Sequence, residues 1–230
     1  MVTSPPTLLS VSDNGLLALL LSPIKKRKTY FAFHFEDIMR VNVVRNSWKI
    51  ERPDAPQMRS FYDSSLWERR QIDGVDAVKR LIREGVGYTS AICVLVGTET
   101  WLRPWVRYEI ARAVIDNRGL VAVHINSIRH HVTKQDDPLG HNPLSYMGVG
   151  KVQPIPFAIP QYYLFELRDG SWVRYQGYTN PVSLPSYLAD PAPGYVTWLS
   201  AGAKIYDFIG GEGHKNIGRW IDEAARQVGG

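Results

Sequence analysis

Three acidic residues, Asp63, Glu68 and Glu109, are the candidates for carboxylate chemistry in this chain. Cleavage of an N-glycosidic bond passes through an oxocarbenium-like state, so a carboxylate beside the ribose can stabilise the developing positive charge or hold the ribose hydroxyls. One acid suffices when the leaving group is good, as nicotinamide is when NAD⁺ expels it as a neutral amine. The residue pattern does not distinguish this chemistry from a structural role. Aromatic side chains that could hold the departing ring are Phe33, Trp67 and Trp105.

Glu109 lies on a predicted helix that Pro104 opens, because the fixed φ and missing N–H donor of proline suit the first helical turn. At helical spacing, Trp105 and Glu109 lie one above the other at the edge of an apolar stripe. The simplest alternative to a catalytic role is an ion pair between Glu109 and Arg107 or Arg112. The apolar stripe consists of Val106, Ile110, Ala113 and Val114.

Predicted strands and helices alternate over the first half of the chain. Residues 91–96 form a continuous apolar run, which is typical of a parallel strand covered on both faces. Further strands are predicted at 30–33 and 120–125, and helices at 37–48 and 73–84. This alternation predicts an α/β fold built on a central, doubly wound parallel sheet.

Open α/β sheets bind ligands outside the carboxyl ends of their strands. His34 follows the first predicted strand, Gly97 and Thr98 follow the second, and Asn126 follows the third. Glu109, one to two turns into its helix, can face the same edge. We therefore predict the candidate site at this edge of the sheet.

The second half of the chain is punctuated by prolines. A hairpin is predicted at 162–167 and 172–175, with Asp169-Gly170 as its two-residue turn. A closing strand is predicted at 204–209. The last helix is predicted from apolar residues at helical spacing, namely Ile217, Trp220, Ile221 and Ala224.

Residues 1–27 are predicted to be a flexible extension. The apolar run at 16–21 is shorter than the roughly 20 residues that span a bilayer, and its basic cluster follows it, which reverses the order of a signal peptide. An amphipathic surface anchor is the alternative. The rest of the chain, 28–230, is predicted to be one domain with proline-rich loops and the hairpin inserted at about 130–200.

The composition is that of a globular protein, with 230 residues, 44% hydrophobic and 21% charged. The net charge of +5 comes from scattered basic residues and is therefore a weak argument for nucleic-acid binding. Cys93 lies within an apolar strand and is the single cysteine, so no intramolecular disulfide can form. A buried thiol and a cytoplasmic location are expected.

Other motifs give no comparable site. His130, His131 and His141 lack the cysteines or spaced acids of a metal site. Residues 210–216 are rich in glycine before a helix but lack the spacing of a phosphate-binding P-loop. A response-regulator phosphoacceptor would need an acid where this chain has Gly97.

Five segments, taken in order, closely resemble the TIR-like family that forms the Thoeris B-type component of bacterial anti-phage defence: KTYFAFHFED, RVNVVRNSW, FYDSSLWE, AICVLVGTETWLRPWVRYEIARAV and GLVAVHIN. The resemblance covers residues 28–128 strongly and continues more loosely to the closing helix. It implies a flavodoxin-like TIR fold, to which the residue pattern adds the C-terminal hairpin and loop elaboration and the closing helix. It also implies an enzyme that consumes NAD⁺ to make a cyclic or conjugated ADP-ribose signal.

By this resemblance, the catalytic glutamate of TIR enzymes corresponds to Glu109 within WVRYE. Phe33 and His34 match the segment after the first strand that lines the TIR pocket, and Trp105 precedes the glutamate by one turn. The strand end and the other matching segments supply the remaining substrate-binding candidates, Asn46, Asp63, Trp67 and Thr98.

NAD⁺ is thus expected as a substrate, with no cofactor and no metal. Glu109 would engage the nicotinamide ribose, nicotinamide would leave, and a nucleophile would capture the ribosyl cation. A hydroxyl of the same molecule gives cyclic ADP-ribose, water gives ADP-ribose, and an amino acid gives a conjugate. The nucleotide is expected to activate a partner effector. Activation by a phage-derived trigger and assembly into a homo-oligomer are open alternatives. Neither nucleic acid nor membrane is expected as a partner.

Two functions of other classes stay open beside the enzyme. A non-catalytic TIR-like module would assemble with protein partners through its loops. A nucleic-acid-binding protein would rest on the net charge alone.

Overall fold

The computed structural model describes residues 27–51, 74–153 and 159–230, without the side chains of residues 48–51. The strands of these residues are β1 (Thr29–Ala32), β2 (Ala91–Val96), β3 (Gly119–His124), β4 (Met147–Val152), β5 (Gln161–Arg168), β6 (Ser171–Arg174), β7 (Val196–Trp198) and β8 (Lys204–Asp207). The α-helices are α1 (Ile38–Glu51), α2 (Val75–Gly87), α3 (Pro104–Ile115) and α4 (Gly213–Arg226). The predicted alternation of strands and helices is confirmed.

A parallel sheet in the order β1-β2-β3-β8 lies at the centre. All six residues of β2 are buried, as expected for a strand covered on both faces. Successive side chains of a strand point to opposite faces, so each strand contributes to two core layers. Phe31 and Cys93 lie in the layer beneath α1 and α4, whereas Tyr30 and Ile92 lie in the layer beneath α2 and α3.

A second, antiparallel sheet in the order β6-β5-β4-β7 packs over α3. Its buried side chains Met147, Val149 and Leu164 join the same core layer as Val106 and Ile110 of α3. The helix bearing Glu109 is therefore covered on two sides, by the parallel sheet and by this second sheet.

The β5–β6 hairpin confirms the prediction for residues 162–175. Its turn residues Asp169 and Gly170 have φ values of +48° and +75°, the left-handed conformation that a tight two-residue hairpin turn requires. Strands β4 and β7 were not predicted, and they extend the hairpin into a four-stranded sheet. The glycines of β4 permit close pairing, since a Cβ at Gly150 would lie less than 3.0 Å from the ring of Phe165.

Arg27, the last residue assigned to the predicted extension, packs against the folded domain. Arg27 is 6% exposed, and its Nε lies 2.7 Å from Oδ1 of Asp222 on α4. Its Nη2 also donates to the carbonyl of Gly230 at 3.0 Å. Residues 1–26 lie outside the described residues.

Candidate functional site

Glu109 lies on the side of α3 that faces the parallel sheet. Its side chain is fully buried, and Oε1 accepts a 2.6 Å hydrogen bond from the hydroxyl of Tyr30 on β1. Burying a carboxylate is costly unless donors replace the water it loses. The Tyr30 hydroxyl supplies such a donor and fixes the position of the carboxylate.

The neighbouring arginines make their ion pairs with other acids. Arg107 Nη1 lies 3.1 Å from Oε2 of Glu166 on β5, and Arg112 Nε lies 3.0 Å from Oδ2 of Asp116. Arg107 and Glu109 are two residues apart and so point to different sides of α3, one toward each sheet. The ion pair considered for Glu109 with Arg107 or Arg112 is therefore wrong.

Trp105 lies one turn before Glu109 and is half-buried. Its ring packs against the core and meets the ring of Tyr108 edge to face, with centroids 6.3 Å apart. Val106 and Ile110 are buried in the core layer shared with the parallel sheet, as predicted. Whether Trp105 contacts a substrate stays a prediction.

Phe33 and Glu109 lie on opposite sides of the parallel sheet. Phe33 is buried in the layer beneath α1 and α4, whereas Glu109 extends from α3 toward the other face of the sheet. His34 is half-buried at the carboxyl end of β1, where burial and the nearby positive charge of Arg103 lower its pKa. The structure therefore separates Phe33 from Glu109, although the family resemblance assigns both residues to the same pocket.

The segment that follows β3 packs against the carboxyl end of β2. The Thr98 hydroxyl donates to the carbonyl of Pro138 at 2.8 Å, and the Asn126 amide donates to the carbonyl of Asp137 at 3.4 Å. Gly140 packs so tightly here that a Cβ would lie less than 3.0 Å from the carbonyl of Gly97. Thr98 is therefore engaged in the packing of this edge, and its contact with a substrate stays a prediction.

Asp37 is a buried acid at this edge that the sequence pattern did not single out. It is 6% exposed, and burial raises its pKa to about 6, although the Arg40 guanidinium acts in the opposite direction. Arg40 is itself buried; its Nε donates to the carbonyl of Ile128 at 2.8 Å and its Nη1 pairs with Asp137. The signal in the sequence is an acid five residues past the end of β1. Its contact with Gly97, which follows β2, is not a local feature of the sequence.

Of the remaining predicted residues, Asn46 lies in the described part of the chain. Asn46 is exposed on α1. Asp63 and Trp67 lie outside the described residues, as does Glu68. Their roles stay predictions from resemblance.

His34, Glu36 and Glu99 form the group of possible metal ligands found among the described residues, with ligand atoms within 4.8 Å of one another. Glu99 is already paired with Arg103 on the following turn. Glu36 and Glu99 are solvent-exposed, so water competes with any cation there. The ion pair and the exposure make this group a poor candidate for a tight metal site.

A cleft of about 540 Å³ opens beside α3, on the side opposite Glu109. It lies between the start of α3 and the β5–β6 hairpin. Its polar lining includes Arg107, Glu166 and Arg168, and its aromatic lining includes Trp101 and Tyr146. The sequence pattern does not indicate this cleft, because its walls belong to two separately predicted elements, and Arg107 and Glu166 are 59 residues apart in the chain.

The parallel sheet with helices on both faces, and the WxxxE pattern of Trp105 and Glu109 on α3, define an α/β protein of the flavodoxin-like TIR class. The family model described as "Thoeris protein ThsB, TIR-like domain" matches residues 30–130. A relative from Bacillus cereus (strain MSX-D12), named "Putative cyclic ADP-D-ribose synthase ThsB1", is 31% identical over 205 residues, which cover 85% of this chain and 99% of the relative. The chain belongs to the Thoeris ThsB TIR-like family.

None of the helices in residues 27–51, 74–153 and 159–230 has the length and apolar character needed to cross a bilayer.

Proposed function

We propose that this protein cleaves the nicotinamide N-glycosidic bond of NAD⁺ and forms a cyclic or conjugated ADP-ribose signal in anti-phage defence. The observation that carries the proposal is the position of Glu109, one helical turn after Trp105 and held by the Tyr30 hydroxyl within the segment that matches the family. The name of the Bacillus cereus relative supports the same chemistry.

The proposed reaction places Glu109 beside the nicotinamide ribose. The carboxylate accepts hydrogen bonds from the ribose hydroxyls and stabilises the positive charge that develops as the bond from C1′ to nicotinamide breaks. The bonding electrons leave with nicotinamide, which departs neutral. A nucleophile within the same dinucleotide then bonds to C1′ and loses its proton, which gives a cyclic ADP-ribose, whereas an amino acid gives a conjugate.

The depth of Glu109 has a consequence for activation. Its side chain is 0% exposed, so NAD⁺ can reach it only when groups that cover it move. We therefore propose a low resting turnover that rises on triggering by phage infection or on assembly. The ADP-ribose product would then switch on a separate effector protein.

The test is incubation with NAD⁺ of the protein taken from phage-infected cells, with nicotinamide release followed by chromatography and the nucleotide product identified by mass spectrometry. Glu109→Gln keeps the size of the side chain and an acceptor for Tyr30, so we expect a folded protein whose turnover is at least about 100-fold lower. Glu84→Gln, on the exposed face of α2, is the matched control and should turn over NAD⁺ as the parent protein does. Unchanged turnover in Glu109→Gln would refute the assignment.

The full burial of Glu109 also fits a second function, that of a non-catalytic TIR-like interaction module in which this acid is structural. The two functions differ in one measurement. Absence of NAD⁺ turnover in samples taken from phage-infected cells, together with stable capture of a partner protein, would favour the module.

A further inference from the structure

The cleft beside α3 has the size and lining of a small-molecule site. Its volume of about 540 Å³ falls within the range of roughly 300 to 1,000 Å³ that is typical of ligand pockets. Glu109 is not among its lining residues, so the cleft is separate from the proposed catalytic acid.

Glu166 fixes two guanidinium groups at this cleft. It is 1% exposed, and its two oxygens are used separately: Oε2 lies 3.1 Å from Arg107 Nη1, and Oε1 lies 2.6 Å from Arg168 Nη2. Arg107 is held further by the Trp101 carbonyl, which lies 3.4 Å from both Nε and Nη2. A buried carboxylate that positions two cations pre-organises them for an anion.

Arg168 retains donors for a ligand. A guanidinium carries five N–H donors, and the ion pair with Glu166 uses Nη2. The Arg168 side chain is 55% exposed, so its remaining donors are accessible from solvent. Asp169 also lines the cleft and brings the formal charge of the lining to zero, so recognition depends on directed guanidinium donors rather than on net charge.

Aromatic rings form the adjoining wall. The rings of Trp101 and Tyr146 lie 4.9 Å apart with a tilt of 31°, and the His141 ring lies 5.0 Å from Trp101. Both Trp101 and Tyr146 are half-buried, so each keeps part of its ring exposed. The wall continues into a second cleft of about 450 Å³, which shares Tyr146 and adds Trp172 and Trp198.

We propose that this cleft binds a nucleoside phosphate, with the phosphate at Arg168 and Arg107 and the base against Trp101 and Tyr146. Paired guanidinium groups match phosphate oxygens, and an aromatic wall provides the stacking surface that a base requires. A sugar phosphate without a base would lack the second interaction. The site does not depend on NAD⁺ cleavage, and it would let the protein sense a nucleotide substrate or product away from Glu109.

The test is isothermal titration calorimetry of the full chain with AMP, ADP-ribose and ribose 5-phosphate. None of these compounds carries nicotinamide, so turnover does not interfere. We expect AMP and ADP-ribose to bind, and ribose 5-phosphate to bind at least about tenfold more weakly because it lacks the base. Tighter binding of ADP-ribose than of AMP would assign the site to a nucleoside diphosphate, and equal binding would assign it to a monophosphate.

Arg168→Gln should weaken AMP binding about tenfold or more, because it removes the guanidinium group that binds the phosphate. The control Arg129→Gln changes another exposed arginine, 78% exposed at its side chain, and should bind AMP as the parent protein does. Glu109→Gln should also bind AMP normally, which separates this site from the catalytic proposal. The absence of AMP and ADP-ribose binding up to millimolar concentration, or equal weakening in Arg168→Gln and Arg129→Gln, would overturn the inference.

Discussion

The hydroxyl of Tyr30 donates a 2.6 Å hydrogen bond to Oε1 of Glu109 and so joins two residues that are 79 positions apart in the chain. Tyr30 is on the first strand and Glu109 is in the middle of α3. Because both residues are buried, the bond forms away from solvent and directs one oxygen of the carboxylate toward the sheet. The fold therefore positions the proposed catalytic acid through Tyr30, a buried residue of β1.

Tyr30→Phe removes this hydroxyl while keeping the ring. We expect a loss of about 1 to 3 kcal/mol in the free energy of unfolding, because a buried carboxylate loses a charge-assisted donor. NAD⁺ turnover should fall as well, since Glu109 would be less well oriented. Urea denaturation and nicotinamide release measure the two effects. Tyr88→Phe, at a tyrosine that is 72% exposed, is the control and should change neither.

Gly97→Ala tests the tight packing at the carboxyl edge of β2. The new Cβ would lie less than 3.0 Å from the Asp37 carboxylate, so the two groups must move apart, and we expect a destabilisation of about 1 to 3 kcal/mol by chemical denaturation. Gly87→Ala, with no atom within 4 Å of its Cβ at the end of α2, should be neutral or slightly stabilising.

A double variant makes this prediction specific. Adding Asp37→Ala to Gly97→Ala removes the group that the new methyl meets, so the two changes should cost less together than the sum of their separate effects. Additive costs would show that Gly97 is required for a different reason.

Local pattern predicted most of the elements. The continuous apolar run at β2 and the Asp169-Gly170 turn each carry their structural signal within a few residues, and both predictions are confirmed. The helix around Glu109 was predicted for the same reason, because Pro104 and the apolar stripe are local features.

Long-range pairing could not be predicted in this way. Strand β4 has the sequence MGVGKV, in which glycines replace the apolar or aromatic residues that usually mark a strand, and its pairing depends on partners elsewhere in the chain. The contacts of the cleft beside α3 also join distant parts of the chain, since Glu166 pairs with Arg107 although the two are 59 residues apart. The catalytic role of Glu109 was predicted from resemblance, and the structure adds its partner Tyr30.

Arg27→Ala tests where the domain begins. Arg27 and Asp222 form a buried ion pair with side chains 5% and 4% exposed, and removing the arginine deprives a buried carboxylate of one of its cations. Arg226 also pairs with Asp222 at 2.7 Å and compensates in part, so we expect a loss of about 2 to 4 kcal/mol. Lys28→Ala changes the adjacent exposed cation and should have little effect on the midpoint of denaturation. Equal stability of the two variants would place Arg27 outside the cooperative unit.

The pKa of Asp37 predicts a pH dependence of folding. Burial raises this pKa from 3.8 to about 6, with Asp137 and Glu36 adding to the shift and Arg40 and Thr100 opposing it. Between these two pH values the folded protein holds a proton that the unfolded chain has released. The contribution of Asp37 to stability is therefore full below about pH 3.8 and falls as the pH rises through about 6.

The asparagine of Asp37→Asn cannot ionise, so this variant should not lose stability through position 37 as the pH rises. At about 1.4 kcal/mol for each pKa unit, the raised pKa of Asp37 corresponds to about 3 kcal/mol of folding free energy. Between pH 4 and pH 7, the free energy of unfolding of Asp37→Asn relative to that of the parent protein should therefore rise by up to about this amount. Denaturation of both proteins across this range measures the difference, which cancels the titration of groups that they share. Asp76→Asn, at an exposed acid on α2, should run parallel to the parent protein. Because an ionised Asp37 held by Arg40 would give the opposite slope, a relative stability of Asp37→Asn that falls with pH would show that the ion pair outweighs burial.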